Sequence, residues 1–178
     1  RSDTTLIVVP SEMISHWQLE ISKFFGDNFP YTVIDSKYSQ SAMTYNHINS
    51  LKFVITTYKF LESKFCSNDN CIEIQHMKLA KNIKLMDDSV KLNVLWWNRI
   101  IFDESHASTS KNEVYEKLRS HFKWIVTSSP DIENNSSYIN SLKMIGIDGM
   151  NNPIMCRENF IKNCIWNIKD TGDHNIHE

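Results

Sequence analysis

The chain has 178 residues, of which 41% are apolar and 11% aromatic, with only four glycines and four prolines. This composition excludes a disordered or fibrous protein and suits one compact domain with its own core. The net charge is −2, which excludes a general electrostatic attraction to nucleic acid, so any contact with a polyanion must come from local groups.

The four cysteines form no C-x-x-C pair, and the sequence shows no signal peptide and no long apolar span. These features favour a reducing compartment, nuclear or cytoplasmic, without membrane association. Two groups combine cysteine and histidine at wider spacing: Cys66, Cys71 and His76, and Cys156, Cys164, His174 and His177. Neither has the short spacing of a zinc knuckle, so isolated thiols and solvated histidines are the simpler interpretation, with zinc left open.

The first third of the chain alternates between strand and helix patterns. Residues 4–9 (Thr-Thr-Leu-Ile-Val-Val) form an apolar run of strand length that ends at Pro10, and Ser11 occupies the position of an N-cap. Apolar residues at helical spacing then predict a helix over 11–25, which ends at Gly26.

The alternation continues with a short strand over 31–35, a weaker polar helix over 39–49, a strand over 53–58 and a helix over 59–65. Strands that alternate with helices predict crossover connections and a parallel sheet. Residues 66–92 interrupt this rhythm and are predicted to be an insertion with a lysine-bearing helix, whose lysines we interpret as a solvated face.

The second half begins with residues 97–106, an apolar run that ends in Asp-Glu-Ser-His. We predict a buried strand up to Asp103, a helix over 111–121, a further buried strand from Lys123 into Thr127, Ser128 and Ser129, and a helix over 136–145. Residues 1–150 are thus predicted to form the domain, and 151–178 an irregular or disordered C-terminal segment.

The adjacent carboxylates of Asp103 and Glu104 lie where parallel sheets place their ligands, at the carboxyl ends of the strands. In nucleotide hydrolases an aspartate at this position holds Mg²⁺, often through water, and the next glutamate polarises the attacking water. The four residues therefore match a D-E-x-H box. Alone they are weak evidence, because a strand end followed by a solvated loop has the same pattern.

Four segments in this order together resemble the first RecA-like lobe of superfamily 2 helicases, most closely the Swi/Snf-type DNA-dependent ATPases. They are 5–11 with the W-x-x-E that follows (motif Ia), 54–58 (the I-T-T-Y segment), 97–106 (motif II, with K-N at 111–112) and 124–130 (motif III). The resemblance covers about 130 residues and implies a partial P-loop NTPase lobe, an α/β fold with a parallel RecA-like sheet flanked by helices.

The resemblance implies roles for the residues near the nucleotide. Asp103 would hold Mg²⁺ through water and Glu104 would orient and deprotonate the water that attacks ATP. His106 would form a hydrogen bond toward Thr127 or Ser129 and so link the nucleotide site to motif III. Thr127, Ser128 and Ser129 would couple ATP hydrolysis to movement.

The resemblance also implies a surface for double-stranded DNA. Pro10, Ser11, Thr56 and Thr57 would offer hydroxyls and helix-start N–H groups to phosphates of one strand, contacts that position the DNA without reading its sequence. Simpler interpretations stay open: Ser11 as an N-cap, the two threonines as strand-favouring residues, and Trp17 and Trp97 as core.

The sequence departs from the family pattern in two ways. Motif III has Ser128 where the family has a glycine, which costs backbone freedom if the turn requires a positive φ. The chain also contains no G-x-x-x-x-G-K-[ST] loop. In the family that Walker A segment lies upstream, so we expect it, and a second RecA-like lobe, to be supplied by the parent chain.

The favoured interpretation is therefore part of an ATP-dependent translocase on duplex DNA, expected to hydrolyse ATP negligibly as an isolated chain. One alternative is a degenerate, non-hydrolysing lobe that serves as a scaffold in a transcription or repair assembly. Two others are an RNA helicase of the same superfamily, disfavoured by the Trp97-x-Arg99 lead-in, and a flavodoxin-like domain whose acidic strand end is incidental.

Overall fold

The computed structural model describes residues 3–63, 91–108, 112–128 and 135–146, all within one compact unit spanning Arg1–Asp148. Nearly all of the predicted insertion, the segment 151–178, both groups of potential zinc ligands, and Lys111 and Ser129 lie outside these residues.

Five parallel strands form one sheet. They are β1 (Thr5–Val9), β2 (Tyr31–Ile34), β3 (Phe53–Thr57), β4 (Trp96–Asp103) and β5 (Arg119–Val126). Their spatial order is β2-β3-β1-β4-β5, so β1 is central and β5 lies at one edge. All carboxyl ends therefore meet along one side of the sheet, as the alternating sequence pattern predicts.

The helices connect these strands. They are α1 (Ile14–Phe25), α2 (Lys37–Ser41), α3 (Tyr45–Ser50), α4 (Tyr58–Glu62), α5 (Asn112–Glu116) and α6 (Asn135–Met144), with 3₁₀ turns at Ser11–Met13 and Ser105–Ala107. As predicted, α1 ends at Gly26, whose φ of 82° is a conformation that favours glycine.

The sheet is buried on both faces around β1. Leu6 and Val8 pack on one face with Ile100 and Phe102 of β4, in the larger core. Ile7 and Val9 alternate onto the other face, against α1. This two-sided burial explains why β1 is a continuous apolar run rather than an alternating one.

Two sequence predictions about the helices are corrected. The helix expected over 39–49 is two short helices, because Ser36 caps α2 and Thr44 accepts a hydrogen bond from the N–H of His47 to begin α3. The hydroxyl of Ser11 makes no capping bond: Pro10 precedes a 3₁₀ turn, and α1 begins only at Ile14.

The prediction for the region of β5 was also wrong in two respects. The helix expected over 111–121 ends at Glu116, and the strand begins at Arg119, because this residue pairs in register with Trp96 of β4. The strand was expected to be buried, yet Phe122 and Trp124 are 56% and 52% exposed because β5 is an edge strand.

Within the described residues, no helix combines the length and apolar character needed to cross a membrane.

Ile100 provides a test of the core. Its side chain is fully buried where β4 lies between β1 and β5. We expect Ile100→Ala to lower the free energy of unfolding by about 2–5 kcal/mol, because it leaves a cavity that its neighbours only partly fill. Urea denaturation measures the effect. Leu19→Ala, at a side chain 65% exposed, is the control and should change stability by less than about 0.5 kcal/mol; equal losses would contradict this description of the core.

Candidate active site and nucleic-acid interface

Asp103 is the last residue of β4 and is only 8% exposed. Two residues from other elements hold it. The indole N–H of Trp17 in α1 donates to Oδ2 at 2.7 Å, and the hydroxyl of Tyr58 in α4 donates to the main-chain oxygen at 2.9 Å. The carboxylate is therefore held through Oδ2. Neither Trp17 nor Tyr58 donates to its other oxygen, Oδ1.

Glu104 follows in a left-handed backbone conformation, with φ 49° and ψ 56°. It is the only non-glycine residue with a positive φ among those the structure describes. This conformation is unfavourable for a residue with a side chain and is typically retained where function requires it. Here the N–H of Glu104 donates to Val126 O at 2.8 Å, which ties the residue to the end of β5.

The carboxylate of Glu104 is bound by the residues that follow β5. The Thr127 hydroxyl donates to Oε2 at 2.8 Å, and the N–H and hydroxyl of Ser128 donate to Oε1 at 3.1 and 2.9 Å. Burial raises the pKa of this carboxyl, but these hydrogen bonds, aided by His106, outweigh burial and hold the pKa of Glu104 below its ordinary value. The group is therefore ionised at neutral pH.

His106 lies beside Glu104, with Nδ1 3.2 Å from Oε2, and its side chain is 57% exposed. The sequence predicted a hydrogen bond from His106 toward Thr127 or Ser129. In the structure His106 and Thr127 instead meet at the same oxygen of Glu104, so the carboxylate joins the two segments. Ser129 lies outside the described residues.

Ser128 stands where the family has a glycine, and the sequence suggested that it would adopt an unfavourable positive φ. The structure shows no such strain. Since Glu104 alone among the described non-glycine residues has a positive φ, Ser128 lies outside the left-handed region. Its hydroxyl adds a hydrogen bond to Glu104 that a glycine lacks. The departure from the family pattern thus contributes to the site.

The donor set can be compared with the requirements of Mg²⁺. The ion prefers oxygen ligands, keeps several waters and uses one or two protein carboxylates together with phosphates. The Asp103 carboxylate fits that role, and the described residues contain no cluster of three or more acidic, histidine or cysteine side chains that would hold a metal unaided. A magnesium ion here would depend on the bound nucleotide and water for its other ligands.

Two of the residues predicted to bind nucleic acid share a cleft of about 410 Å³ on the carboxyl side of the sheet. We name this the hydroxyl cleft, and it is lined by Ser11, Ile14, Asp35, Ser36, Lys37, Thr57, Lys59, Phe60 and Ser63. Ser11 and Thr57 lie in it. Thr57 also caps α4, since its oxygen accepts the N–H of Phe60 at 3.1 Å.

The other two predicted residues are placed differently. Thr56 is fully buried and its hydroxyl donates to Ile34 O at 2.6 Å, so its polar group is used inside the sheet. Pro10 is also buried, at the end of β1. The structure therefore brings Ser11 to the cleft with an exposed side chain and Thr57 with only 3% of its surface exposed, but it does not bring Thr56 or Pro10 there.

The sequence analysis missed Tyr58, Lys37 and Lys59, and left Trp17 as a core residue. Helical spacing places Trp17 on the inward face of α1 but cannot show that its N–H reaches a residue 86 positions away. Lys37 and Lys59 are exposed and line the cleft, yet they follow two different strands, so no local motif joins them.

Comparisons with known proteins agree with this geometry. The family model described as SNF2-related domain matches residues 1–177. DNA repair protein RAD5 of Saccharomyces cerevisiae is 25% identical over 155 residues, covering 83% of this chain and 12% of that protein. DNA repair protein RAD5 of Debaryomyces hansenii is 28% identical over 162 residues, covering 85% and 13%. The chain thus spans only a small part of these relatives.

Solved structures show the same fold. The Sulfolobus solfataricus SWI2/SNF2 ATPase core in complex with dsDNA aligns with a TM-score of 0.58 at 15% identity, over 90% of this chain and 28% of that one. The core domain of that name matches equally, with a TM-score of 0.58 at 14% identity. These likenesses establish a RecA-like α/β fold for the chain.

The hydrogen bonds to Glu104 predict its titration. We expect the side-chain carboxyl carbon of Glu104 to titrate, by NMR, with a midpoint below the ordinary glutamate value. The double variant Thr127→Val, Ser128→Ala removes both hydroxyls. It should raise that midpoint, because the charged carboxylate loses two of the hydrogen bonds that stabilise it. By linkage, the stability contributed by this group is present above the ordinary pKa and is lost as pH falls through the lowered one. Ser50→Ala is the control, and an unchanged midpoint in the double variant would contradict the prediction.

Proposed function

Since the chain belongs to the SNF2-related domain family, we propose that it forms most of the first RecA-like lobe of a DNA-dependent ATPase that moves along duplex DNA. The observation that carries this proposal is the carboxylate of Glu104, held by Thr127 and Ser128 directly beside Asp103. A solvated strand end would not need an unfavourable backbone conformation or three donors from the neighbouring strand.

The proposed chemistry follows from the two carboxylates. Asp103 would hold Mg²⁺ through water, and the ion would neutralise charge on the phosphates of ATP. Glu104 would accept a hydrogen bond from the attacking water and orient it. Its lowered pKa suits orientation better than strong proton abstraction, which agrees with a reaction in which positioning and charge neutralisation dominate.

Other parts of the parent protein would complete the nucleotide site. We propose that these include a phosphate-binding loop and a second RecA-like lobe, in agreement with relatives of which this chain covers 12–13%. The open side of β5 supports this, because Phe122, Trp124 and Val126 are each about half exposed on the face that also carries Arg99. Apolar side chains exposed together typically mark a surface that another segment covers.

The hydroxyl cleft would bind the DNA backbone. Ser11 offers an exposed hydroxyl, and Lys37 and Lys59 offer two positive charges that exceed the one negative charge of Asp35 in the same cleft. These groups suit phosphates and have no arrangement for reading base edges, so binding would be independent of sequence. The RAD5 relatives are DNA repair proteins, which suggests a nuclear role in DNA repair for the parent protein.

The scaffold alternative differs in one respect. A degenerate lobe would not need an ionised glutamate in a defined position, whereas Glu104 has both features. We therefore favour ATP hydrolysis over the scaffold role, and a substitution of Glu104 distinguishes the two functions.

Glu104→Gln in the parent protein tests hydrolysis. We expect DNA-stimulated ATP turnover to fall by about 10²–10⁴-fold, because the neutral amide lacks the negative charge that orients and polarises the attacking water, while ATP binding is retained. Glu116→Gln, at an exposed position in α5 outside the four motif segments, is the matched control and should leave turnover unchanged. Normal turnover of Glu104→Gln would exclude the proposed role, and a parent protein without ATPase activity would favour the scaffold.

Lys37→Gln and Lys59→Gln test the cleft. Each should weaken binding of duplex DNA to the parent protein and reduce the slope of log K against log salt by about one phosphate contact, because each removes one cation from the backbone surface. Fluorescence anisotropy at several salt concentrations measures both. Thr56→Val is the control: it should lower stability by about 1–3 kcal/mol through loss of the bond to Ile34, yet leave the slope unchanged. Unchanged slopes in both lysine variants would show that the hydroxyl cleft does not contact the DNA backbone.

A further inference from the structure

The two elements that line the hydroxyl cleft both reach Asp103. The first runs from Ser11 into α1, where Trp17 donates to the side-chain oxygen Oδ2 at 2.7 Å. The second runs from Thr57 into α4, where Tyr58 donates to the main-chain oxygen at 2.9 Å. One residue thus receives a hydrogen bond from each element.

The path from cleft to carboxylate is short in both cases. Trp17 follows Ser11 by six residues, about 9 Å along a helix, and Tyr58 follows Thr57 directly. Short helical segments move as units, so a shift at the cleft end displaces the donor at the other end. Hydrogen bonds weaken steeply as the donor moves out of line, so a small displacement changes how the acceptor is held.

Both donors are suited to hold a position. The indole N–H of Trp17 can only donate, and its acceptor is a carboxylate, which makes the bond charge-assisted. Tyr58 is 3% exposed, and burial, followed by the charges of Asp103 and Glu104, raises the pKa of its phenol. The phenol therefore remains protonated and continues to donate.

We propose that Trp17 and Tyr58 are positioning residues that couple occupation of the hydroxyl cleft by duplex DNA to the placement of Asp103. This inference rests on the proposed function and adds the route by which DNA would stimulate hydrolysis. DNA phosphates bound at Ser11 and Lys59, which are both exposed in the cleft, would fix the starts of α1 and α4. The two hydrogen bonds then hold Asp103 where it can orient the metal and its water.

The first test uses Trp17→Phe and Tyr58→Phe in the parent protein. Each removes one donor and retains the ring. We expect the ratio of kcat with duplex DNA to kcat without it to fall by about tenfold in each variant, within the range of about 5- to 150-fold typical of coupling between sites. The KM for ATP and the affinity for DNA should change by less than about twofold, since neither side chain is proposed to touch either ligand.

Matched controls exclude a general loss of stability. Trp97→Phe removes the indole N–H of a more deeply buried tryptophan, which donates to Leu92 O, and Tyr115→Phe removes a phenol hydroxyl bonded to Glu62 in the same aromatic cluster. Both should lower the melting temperature but keep the stimulation ratio. Equal loss of the ratio in the controls would show a structural effect and overturn the coupling.

The second test observes Trp17 directly in the 178-residue chain. Its indole ¹H–¹⁵N resonance, identified by its absence in Trp17→Phe, should shift on addition of duplex DNA, while the resonance of Trp97 should not. The shift should disappear in Ser11→Pro, which blocks the N–H at the start of the cleft. A DNA-dependent shift at the Lys59 amide without one at Trp17 would overturn the proposal.

Different results would overturn the proposed function and the proposed coupling. A parent protein whose ATPase is not stimulated by DNA would overturn the proposed function and this inference together. If DNA stimulates the ATPase of the wild type, Trp17→Phe and Tyr58→Phe equally, the coupling alone is overturned.

Discussion

The parallel alignment of β4 and β5 is the constraint on which the site depends. Asp103 pairs with Val126 in register, and the N–H of Glu104 extends the ladder by one more bond to Val126 O. This pairing brings the residues after both strands to the same edge, so Thr127 and Ser128 meet the carboxylate of Glu104. A shift of one residue in this register would turn these side chains to the other face.

The left-handed conformation of Glu104 shows why the site is more than a strand end. An extended residue at this position would continue β4 and direct its side chain to the face of the sheet opposite Asp103, whereas the turn directs it across to the end of β5. Such a conformation persists when surrounding bonds outweigh its cost. Here one main-chain bond and three donated bonds to the carboxylate oppose that cost, so the geometry of the glutamate is determined by β5.

Much of the fold could be predicted because the sheet is buried on both faces around β1, which leaves an apolar run in β1 and shorter apolar runs before the polar ends of β3 and β4. The carboxylates could be predicted because they end such a run. The exposure of β5 could not, since Trp124 and Val126 suit a core as well as an open edge. The bonds from Trp17 and Tyr58 to Asp103 were also unpredictable, because they join residues 86 and 45 positions apart without a repeating pattern.

The proposed reaction places one further requirement on Glu104. A carboxylate has about four acceptor sites, and the structure fills them with Thr127, the N–H and hydroxyl of Ser128, and His106. An attacking water must therefore replace one donor. The Ser128 N–H is fixed by the backbone, and the hydroxyls of Thr127 and Ser128 bind at 2.8 and 2.9 Å, whereas the exposed His106 makes the longest of the side-chain contacts, at 3.2 Å. In the proposed reaction the attacking water would therefore displace His106 and reach Oε2 of Glu104.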